Sequence, residues 1–231
     1  MWLHVAYTAV GLFFRQWCRV RIEGAEHVPA YGGVLLGSNH ISVIDPVLIA
    51  YSIMATRGVQ IVWAPAKVEL FTVPLFGRLI ASLGAFPVRR GRGDLRAIRR
   101  MVTHLQSEKL LLFPEGTRSR DGRLGPGKRM VGKLLHEAQP VVIPMAVWGT
   151  DRVLPPGSWF PRYRMAIGVR YGKPLDLQRY YALPRTKETA TVIVQELMQA
   201  IAALLEGERS PGTVASTGTR IQRLSDETSG I

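Results

Sequence analysis

Short apolar runs alternate with segments of helical periodicity along most of the chain. Strands are predicted at 33–37, 60–64, 85–88, 109–113, 141–148 and 163–170. Helices are predicted at 46–54, 95–105, 128–138 and 194–204, with a broken helical region at 68–83 that Pro74 and Gly77 interrupt. This alternation favours an α/β fold with a mixed, largely buried sheet flanked by helices.

The two ends of the chain differ from this middle. Residues 1–14 are apolar and too few to cross a bilayer, which takes about 20 residues. The arginines that follow favour an interfacial helix on an anionic membrane; a helix packed on the protein's own core is the alternative. We therefore expect an interfacial segment at 1–19, the α/β domain at 20–207 and a disordered polar tail at 208–231.

Charge and cysteine content narrow the function classes. The single cysteine, Cys18, excludes an intramolecular disulfide and a cysteine-based zinc site. The net charge is +13, and residues 85–133 carry thirteen Lys and Arg against four Asp and Glu. Such a block favours phosphate-bearing partners, which include nucleic acid, anionic lipid headgroups and phosphorylated small molecules.

His40 and Asp45 are the most informative pair of residues. His40 follows the predicted strand 33–37, and Asp45 stands directly before Pro46 at a predicted helix start. Asp45 is expected to be the N-cap of that helix. The loop then lets a general base and its orienting carboxylate converge, although an uninvolved loop histidine beside a simple cap would give the same pattern.

Two further segments offer groups for an anion. The strand 109–113 runs into Glu115, Gly116, Thr117 and Arg118, where glycine permits close backbone approach and arginine offers a fork for a phosphate. The strand 85–88 leads to Arg89 and Arg90, of which only one readily faces a shared cleft, because neighbouring strand residues point to opposite faces. Each segment taken alone also fits an ordinary solvated turn.

Together these segments resemble the glycerolipid acyltransferase family, especially the 1-acyl-sn-glycerol-3-phosphate acyltransferases. The first block of that family, Asn-His-x-Ser-x-x-Asp, is similar to residues 39–45, and Phe-Pro-Glu-Gly-Thr-Arg matches residues 113–118. Residues 84–90 resemble the second block, 141–144 the fourth, and Lys67 with 69–71 a segment between blocks one and two. The resemblance covers roughly residues 20–174.

The resemblance implies a glycerol-phosphate acyltransferase-like fold and an O-acyl transfer without metal or redox cofactor. An acyl group would pass from acyl-CoA or acyl-carrier protein to the sn-2 hydroxyl of a lysophospholipid, giving phosphatidic acid. His40 would be the general base and Asp45 its orienting carboxylate. Arg90, Arg118 and Lys67 would anchor the acceptor phosphate in a pocket shaped by Glu115, Gly116 and Thr117.

The sequence also departs from the family pattern. Arg89 stands where the second block often has an acidic or neutral residue, so either arginine is a candidate for the substrate. The apolar segment is shorter than the two-helix anchor of some members, and we expect peripheral attachment to the cytoplasmic face of the cell membrane.

A membrane-binding protein that keeps the fold but has lost activity is disfavoured by the intact His40–Asp45 pair and residues 113–118. Two further rival functions remain at this stage. One is an acyltransferase with another acceptor, such as glycerol-3-phosphate, dihydroxyacetone phosphate or a lyso-aminolipid. The other is a basic nucleic-acid-binding module, which is disfavoured because the basic block lacks interleaved aromatic residues.

Overall fold

The computed structural model describes residues 1–89, 94–155 and 158–209, which form a seven-stranded mixed sheet with helices on both faces. The strands are β1 (Cys18–Glu23), β2 (Val34–Ser38), β3 (Val62–Lys67), β4 (Ala85–Val88), β5 (Lys109–Leu112), β6 (Val141–Trp148) and β7 (Met165–Tyr171). Their order is β1-β7-β6-β2-β5-β3-β4. Strands β2 to β6 are parallel to one another, whereas β1 and β7 run the opposite way because β7 pairs antiparallel with β6. The predicted fold class is confirmed.

The helices of the described residues are α1 (Trp2–Trp17), α2 (Asp45–Arg57), α3 (Pro74–Ser82), α4 (Leu95–His104), α5 (Arg129–Ala138), α6 (Thr150–Val153), α7 (Gln178–Tyr181) and α8 (Lys187–Arg209). Short 3-10 turns at Ala25–His27 and Val68–Phe71 follow β1 and β3.

Alternation along the strands divides the core into two halves. In β2, Val34 and Leu36 face one side of the sheet and pack against α1 and α2. Leu35 faces the other side and packs with α4, α5 and α8. A strand buried on both faces reads as a continuous apolar run, which is why β2, β5 and β6 were predictable from sequence.

Strand β1 is not among the predicted strands. Arg19 and Arg21 are two of the arginines that follow the apolar residues 1–14 and that favour an interfacial helix. In the structure they lie within a strand that pairs with β7. The signal was the alternation of Cys18, Val20 and Ile22 with charged residues, a period of two typical of a half-buried strand.

Proline and glycine act differently in α3 than predicted. Pro74 begins the helix instead of breaking it, since its missing N–H is no loss in the first turn. Gly77 lies inside the helix, where an added Cβ would come within 2.8 Å of Phe71 Cα. The glycine therefore permits close packing of α3 on the preceding 3-10 turn.

The terminal helices both pack on the core. Helix α1 buries Phe14 completely and stacks Tyr7 on Tyr51, with ring centroids 5.6 Å apart, while Trp2 and Leu12 on its opposite side are exposed. In the described part of the chain, only α8 is long and apolar enough to cross a membrane. One side of it, with Ile193, Leu197 and Ile201, packs in the core.

Some predictions fall on positions that the structure does not describe. Arg90 and the residues 210–231 of the predicted tail lie outside the described ranges. Helix α8 continues to Arg209, whereas the predicted tail begins at 208.

Candidate active site

The parallel strands bring three of the predicted segments to one edge of the sheet. His40 follows β2, and the segment from Glu115 to Arg118 follows its neighbour β5. Lys67 ends β3, the next strand, and Arg89 follows β4 beyond it. Neighbouring strands lie about 4.8 Å apart, so the row from β2 to β4 is roughly 15 Å wide.

His40 and Asp45 are directly paired. His40 Nδ1 lies 2.8 Å from Asp45 Oδ2, and the Asp45 side chain is fully buried. An ionised carboxylate only accepts hydrogen bonds, so Nδ1 carries the proton and Nε2 is the basic nitrogen. In the described residues Nε2 has no hydrogen-bond partner, which leaves it available to a substrate.

The predicted capping role of Asp45 is wrong. Asp45 is the first residue of α2, and Ile44 precedes the helix without a side-chain cap. The carboxylate turns back instead: Oδ2 accepts from the backbone N–H of Ile41 at 2.7 Å and of Ser42 at 2.8 Å. It thereby closes the loop that carries His40, and these bonds compete with a cap on α2.

Strand β6 fixes the same loop from the other side. The Asn39 amide donates to the Val147 carbonyl at 2.9 Å and accepts from the Val147 N–H at 2.8 Å. Beyond β6, the fully buried Thr150 donates its hydroxyl to Asp45 Oδ1 at 2.5 Å. Both carboxylate oxygens are thus hydrogen-bonded, as a buried charge requires.

Glu115 joins two loops. Its Oε1 accepts from the backbone N–H of His40 at 3.1 Å and its Oε2 from that of Gly125 at 2.8 Å. The side chain is only 6% exposed, and both its oxygens are occupied by backbone donors. Glu115 therefore holds the backbone of His40 against the loop after β5.

Phe113 fixes the plane of the catalytic candidate. Its ring stacks on the His40 imidazole at a centroid distance of 3.9 Å and an interplanar angle of 12°. The backbone N–H of Ser119 donates to the His40 carbonyl at 2.7 Å. The loop after β5 thus holds both the ring and the backbone of His40.

The remaining predicted anion ligands are solvent-accessible at this edge. Gly116, Thr117, Arg118 and Lys67 are all exposed, as an incoming ligand requires. Gly116 has a φ of 70°, in the left-handed region that favours glycine. An added Cβ there would lie 3.4 Å from Cγ of Lys128, a further cation beside the turn that sequence analysis did not select.

An apolar cavity of about 150 Å³ lies between the sheet and the helices α1, α2 and α3. Its wall includes Pro46 and Val47, which directly follow Asp45. The other lining residues are Ala6, Tyr7, Val10, Ala50, Tyr51, Met54, Val62, Ala64, Ile80, Leu83, Ala85 and Leu111. The site therefore adjoins both exposed cations and a hydrophobic space.

Thr150, like Lys128, is a residue of the site that is not among the sequence predictions. It lies 105 positions from Asp45, and no local pattern marks a threonine after an apolar strand as the partner of a distant carboxylate. Among the described residues, no group of three or more His, Cys, Asp or Glu is placed to hold a metal ion.

The fold and the site define an α/β protein with a buried histidine–aspartate pair at the carboxyl edge of its sheet. The profile of the family described as Acyltransferase matches residues 19–148, which is more than half of the chain. The chain belongs to the acyltransferase family.

Several curated relatives share one printed function. The chain is 28% identical over 145 residues to the chloroplastic 1-acyl-sn-glycerol-3-phosphate acyltransferase LPAT1 of Arabidopsis thaliana, with 61% of this chain and 39% of that protein covered. It is 30% identical over 161 residues to the 1-acyl-sn-glycerol-3-phosphate acyltransferase of Limnanthes douglasii, with 68% and 54% covered. The matched region spans about half or less of these relatives.

A solved structure shares the fold. The 1-acyl-sn-glycerophosphate acyltransferase PlsC of Thermotoga maritima superposes with a TM-score of 0.69 at 23% identity. The match covers 91% of this chain and 81% of that one.

Proposed function

We propose that this protein transfers a fatty acyl group from an acyl thioester to the sn-2 hydroxyl of 1-acyl-glycerol-3-phosphate, giving phosphatidic acid. The observation that carries the proposal is the His40–Asp45 pair, 2.8 Å apart, at the same edge of the sheet as Arg118 and Lys67. The printed function of the curated relatives supports this choice of reaction.

His40 is the general base of the proposed reaction. Its Nε2 takes the proton of the acceptor hydroxyl while the oxygen attacks the thioester carbonyl. The imidazolium that forms donates through Nδ1 to Asp45, whose negative charge stabilises it. Collapse of the tetrahedral intermediate breaks the carbon–sulfur bond, and the proton on Nε2 passes to the leaving thiolate. No acyl-enzyme is needed, because the substrate hydroxyl is the nucleophile.

Arg118, Lys67 and Arg90 are the proposed ligands of the acceptor phosphate. Arg118 follows β5, the strand next to β2, and Lys67 ends β3, one strand further. By the spacing of strands these positions are roughly 5 and 10 Å from the strand that carries His40. Arginine binds phosphate through a planar fork of donors, and the turn at Gly116 and Thr117 adds backbone and hydroxyl groups.

Acyl chains need an apolar environment beside this polar edge. The 150 Å³ cavity beyond Pro46 supplies one and supports a fatty acyl donor, either acyl-CoA or acyl-carrier protein. Neither donor requires a redox or metal cofactor for the proposed step.

We further propose peripheral binding to an anionic membrane surface, at the cytoplasmic face of the cell membrane. Exposed apolar residues follow β2 and β3 at the edge of the sheet that carries the site. We name the surface that they form the apolar rim. The rim consists of Val43, Val47, Leu70, Val73, Leu75 and Phe76. Large exposed apolar residues clustered in this way mark interaction surfaces, and the net charge of +13 favours anionic headgroups.

The decisive experiment is mass-spectrometric detection of phosphatidic acid formed from lysophosphatidic acid and acyl-CoA. We expect wild type to form it and His40→Ala to lose at least about 100-fold of the rate, the scale of a lost general base. His27→Ala is the matched control, because His27 follows β1 and lies at the opposite edge of the sheet. Near wild-type transfer by His40→Ala would refute the mechanism.

An acceptor panel with one labelled acyl donor addresses the rival substrates. Preference for glycerol-3-phosphate, dihydroxyacetone phosphate or a lyso-aminolipid over lysophosphatidic acid would keep the chemistry and overturn the proposed acceptor.

A further inference from the structure

Asp45 is a buried charge whose four hydrogen bonds come from two different parts of the chain. Oδ2 accepts three N–H groups from its own loop, those of the His40 ring, Ile41 and Ser42. Oδ1 has one partner among the described residues, the Thr150 hydroxyl, which reaches it across 105 positions at 2.5 Å. The orientation of the carboxylate therefore depends on a residue outside the His40 loop.

The backbone around Thr150 is built for this contact. Gly149, which precedes it, has a φ of 77°, and an added Cβ would lie 2.2 Å from the Ala166 carbonyl oxygen of β7. Only glycine allows this close turn. The paired bonds between Asn39 and Val147 fix the end of β6 against the His40 loop, three residues before Thr150.

We propose that Thr150 is a positioning residue for acyl transfer, which holds Asp45 so that its Oδ2 faces His40 Nδ1. This inference rests on the proposed function of the His40–Asp45 pair. Thr150 itself acts only through Asp45. With both residues fully buried, no bulk water can replace the hydroxyl, so its loss leaves one carboxylate oxygen unsatisfied.

The test compares Thr150→Val with Thr150→Ser. Valine has the shape of threonine but lacks the hydroxyl that donates to Asp45. Loss of a hydrogen bond to a charged group corresponds to about a 10- to 100-fold lower rate. We expect kcat to fall by that factor in Thr150→Val while KM for both substrates changes less than about threefold. Thr150→Ser, which keeps the hydroxyl, should retain kcat within about threefold.

A buried threonine hydroxyl elsewhere supplies the matched control. Thr189 lies in the first turn of α8, away from the His40 loop, and is 7% exposed. Its hydroxyl donates to the carbonyl of Pro184, which precedes the helix. Thr189→Val should lower the unfolding temperature without lowering kcat. An equal fall of kcat in Thr189→Val and Thr150→Val would reduce the effect to general destabilisation and overturn the proposal.

A double-mutant cycle with Asp45→Asn separates positioning from structure. If Thr150 acts through the carboxylate, Thr150→Val should cost less than about threefold in kcat once residue 45 is neutral. A full additional loss in that background would overturn the inference.

The two proposals fail in different ways. If His40→Ala is inactive and Thr150→Val keeps kcat, the positioning role is wrong and the proposed function stands. If His40→Ala stays active, the proposed function itself is wrong. Should Thr150→Val fail to unfold cooperatively, Thr150→Ser decides, because a large loss of kcat in that variant contradicts the role of the hydroxyl.

Discussion

At the scale of single residues, the site is held by buried groups that satisfy one another. Asp45 and Glu115 are both buried acids, and all of their carboxylate oxygens accept hydrogen bonds from loop N–H groups or from Thr150. A buried charge without such partners would cost several kcal/mol. The same bonds that stabilise the loops fix the imidazole of His40.

Arg118 is expected to act on acceptor binding. Arg118→Ala should raise KM for the phosphorylated acceptor about 10- to 100-fold, because a charge-assisted bond to phosphate is lost, with kcat within a few-fold. Steady-state kinetics with varied acceptor measure both constants. Arg185→Ala, another exposed arginine, is the control; an effect of Arg118→Ala confined to kcat would contradict phosphate anchoring.

Glu115 is expected to contribute mainly to stability. Glu115→Ala leaves the N–H groups of His40 and Gly125 without acceptors and should lower the free energy of unfolding by about 2–4 kcal/mol. Glu115→Gln keeps one acceptor and should lose roughly half as much. Urea unfolding measures both, with the exposed Glu137→Ala as control. Equal stability of Glu115→Ala and Glu137→Ala would show that the two hydrogen bonds of Glu115 do not stabilise the folded protein.

At the scale of elements, packing of short segments buries two tyrosine side chains and changes their pKa. Helix α7 has four residues and ends at Tyr181, whose hydroxyl is buried without a hydrogen-bond partner among the described residues. Burial raises the pKa of Tyr181 to about 12. It also raises the pKa of Tyr171, which lies in β7.

This burial predicts alkaline sensitivity. Between pH 10 and pH 12 the unfolded chain loses the Tyr181 proton while the folded chain keeps it, so stability falls as pH rises through that window. Tyr181→Phe should recover about 1 kcal/mol at pH 11, after a discount for partial exposure. Below pH 9 the variant should be as stable as wild type or more so, since an unpaired hydroxyl is removed.

Thermal unfolding at pH 8 and pH 11 measures this difference, with Tyr31→Phe at a 91% exposed position as control. An identical pH dependence of Tyr181→Phe and wild type would show that the Tyr181 hydroxyl is not buried in solution.

At the scale of the whole molecule, the edge of the sheet that carries the His40–Asp45 pair lies near three surfaces. The cations Lys67 and Arg118 and the apolar rim lie where the parallel strands end. The apolar cavity lies on the sheet face and reaches this end at Pro46 and Val47. The proposed acceptor carries a phosphate and the proposed donor carries an acyl chain, and this arrangement matches the two chemistries side by side.

The apolar rim is the proposed membrane-binding surface. The double variant Leu75→Glu, Phe76→Glu should reduce co-sedimentation with phosphatidylglycerol vesicles about tenfold or more, because it removes two exposed apolar groups and adds two negative charges. The variant Val141→Glu, Val192→Glu makes the same charge change at other exposed positions and should bind like wild type. Equal losses in both variants would mean that net charge, and not the rim, determines binding.

The sequence alone predicted several strands and the segments of the site, because apolar runs and short motifs depend on neighbouring residues. Apolar runs gave the buried strands β2, β5 and β6, and the order of His40, Asp45 and the Glu115–Arg118 turn indicated the chemistry. The alternation in β1 was present but was masked by the neighbouring apolar helix.

Only the tertiary structure decided how distant groups meet. The parallel order β2-β5-β3 places Arg118 and Lys67 at the same edge of the sheet as His40, and the turn after β6 brings Thr150 to Asp45. Asp45 orients the His40 loop and does not cap α2, because a carboxylate takes the donors that the folded chain places nearest. Sequence determines which chemical groups are present, and long-range pairing of strands determines which of them share a site.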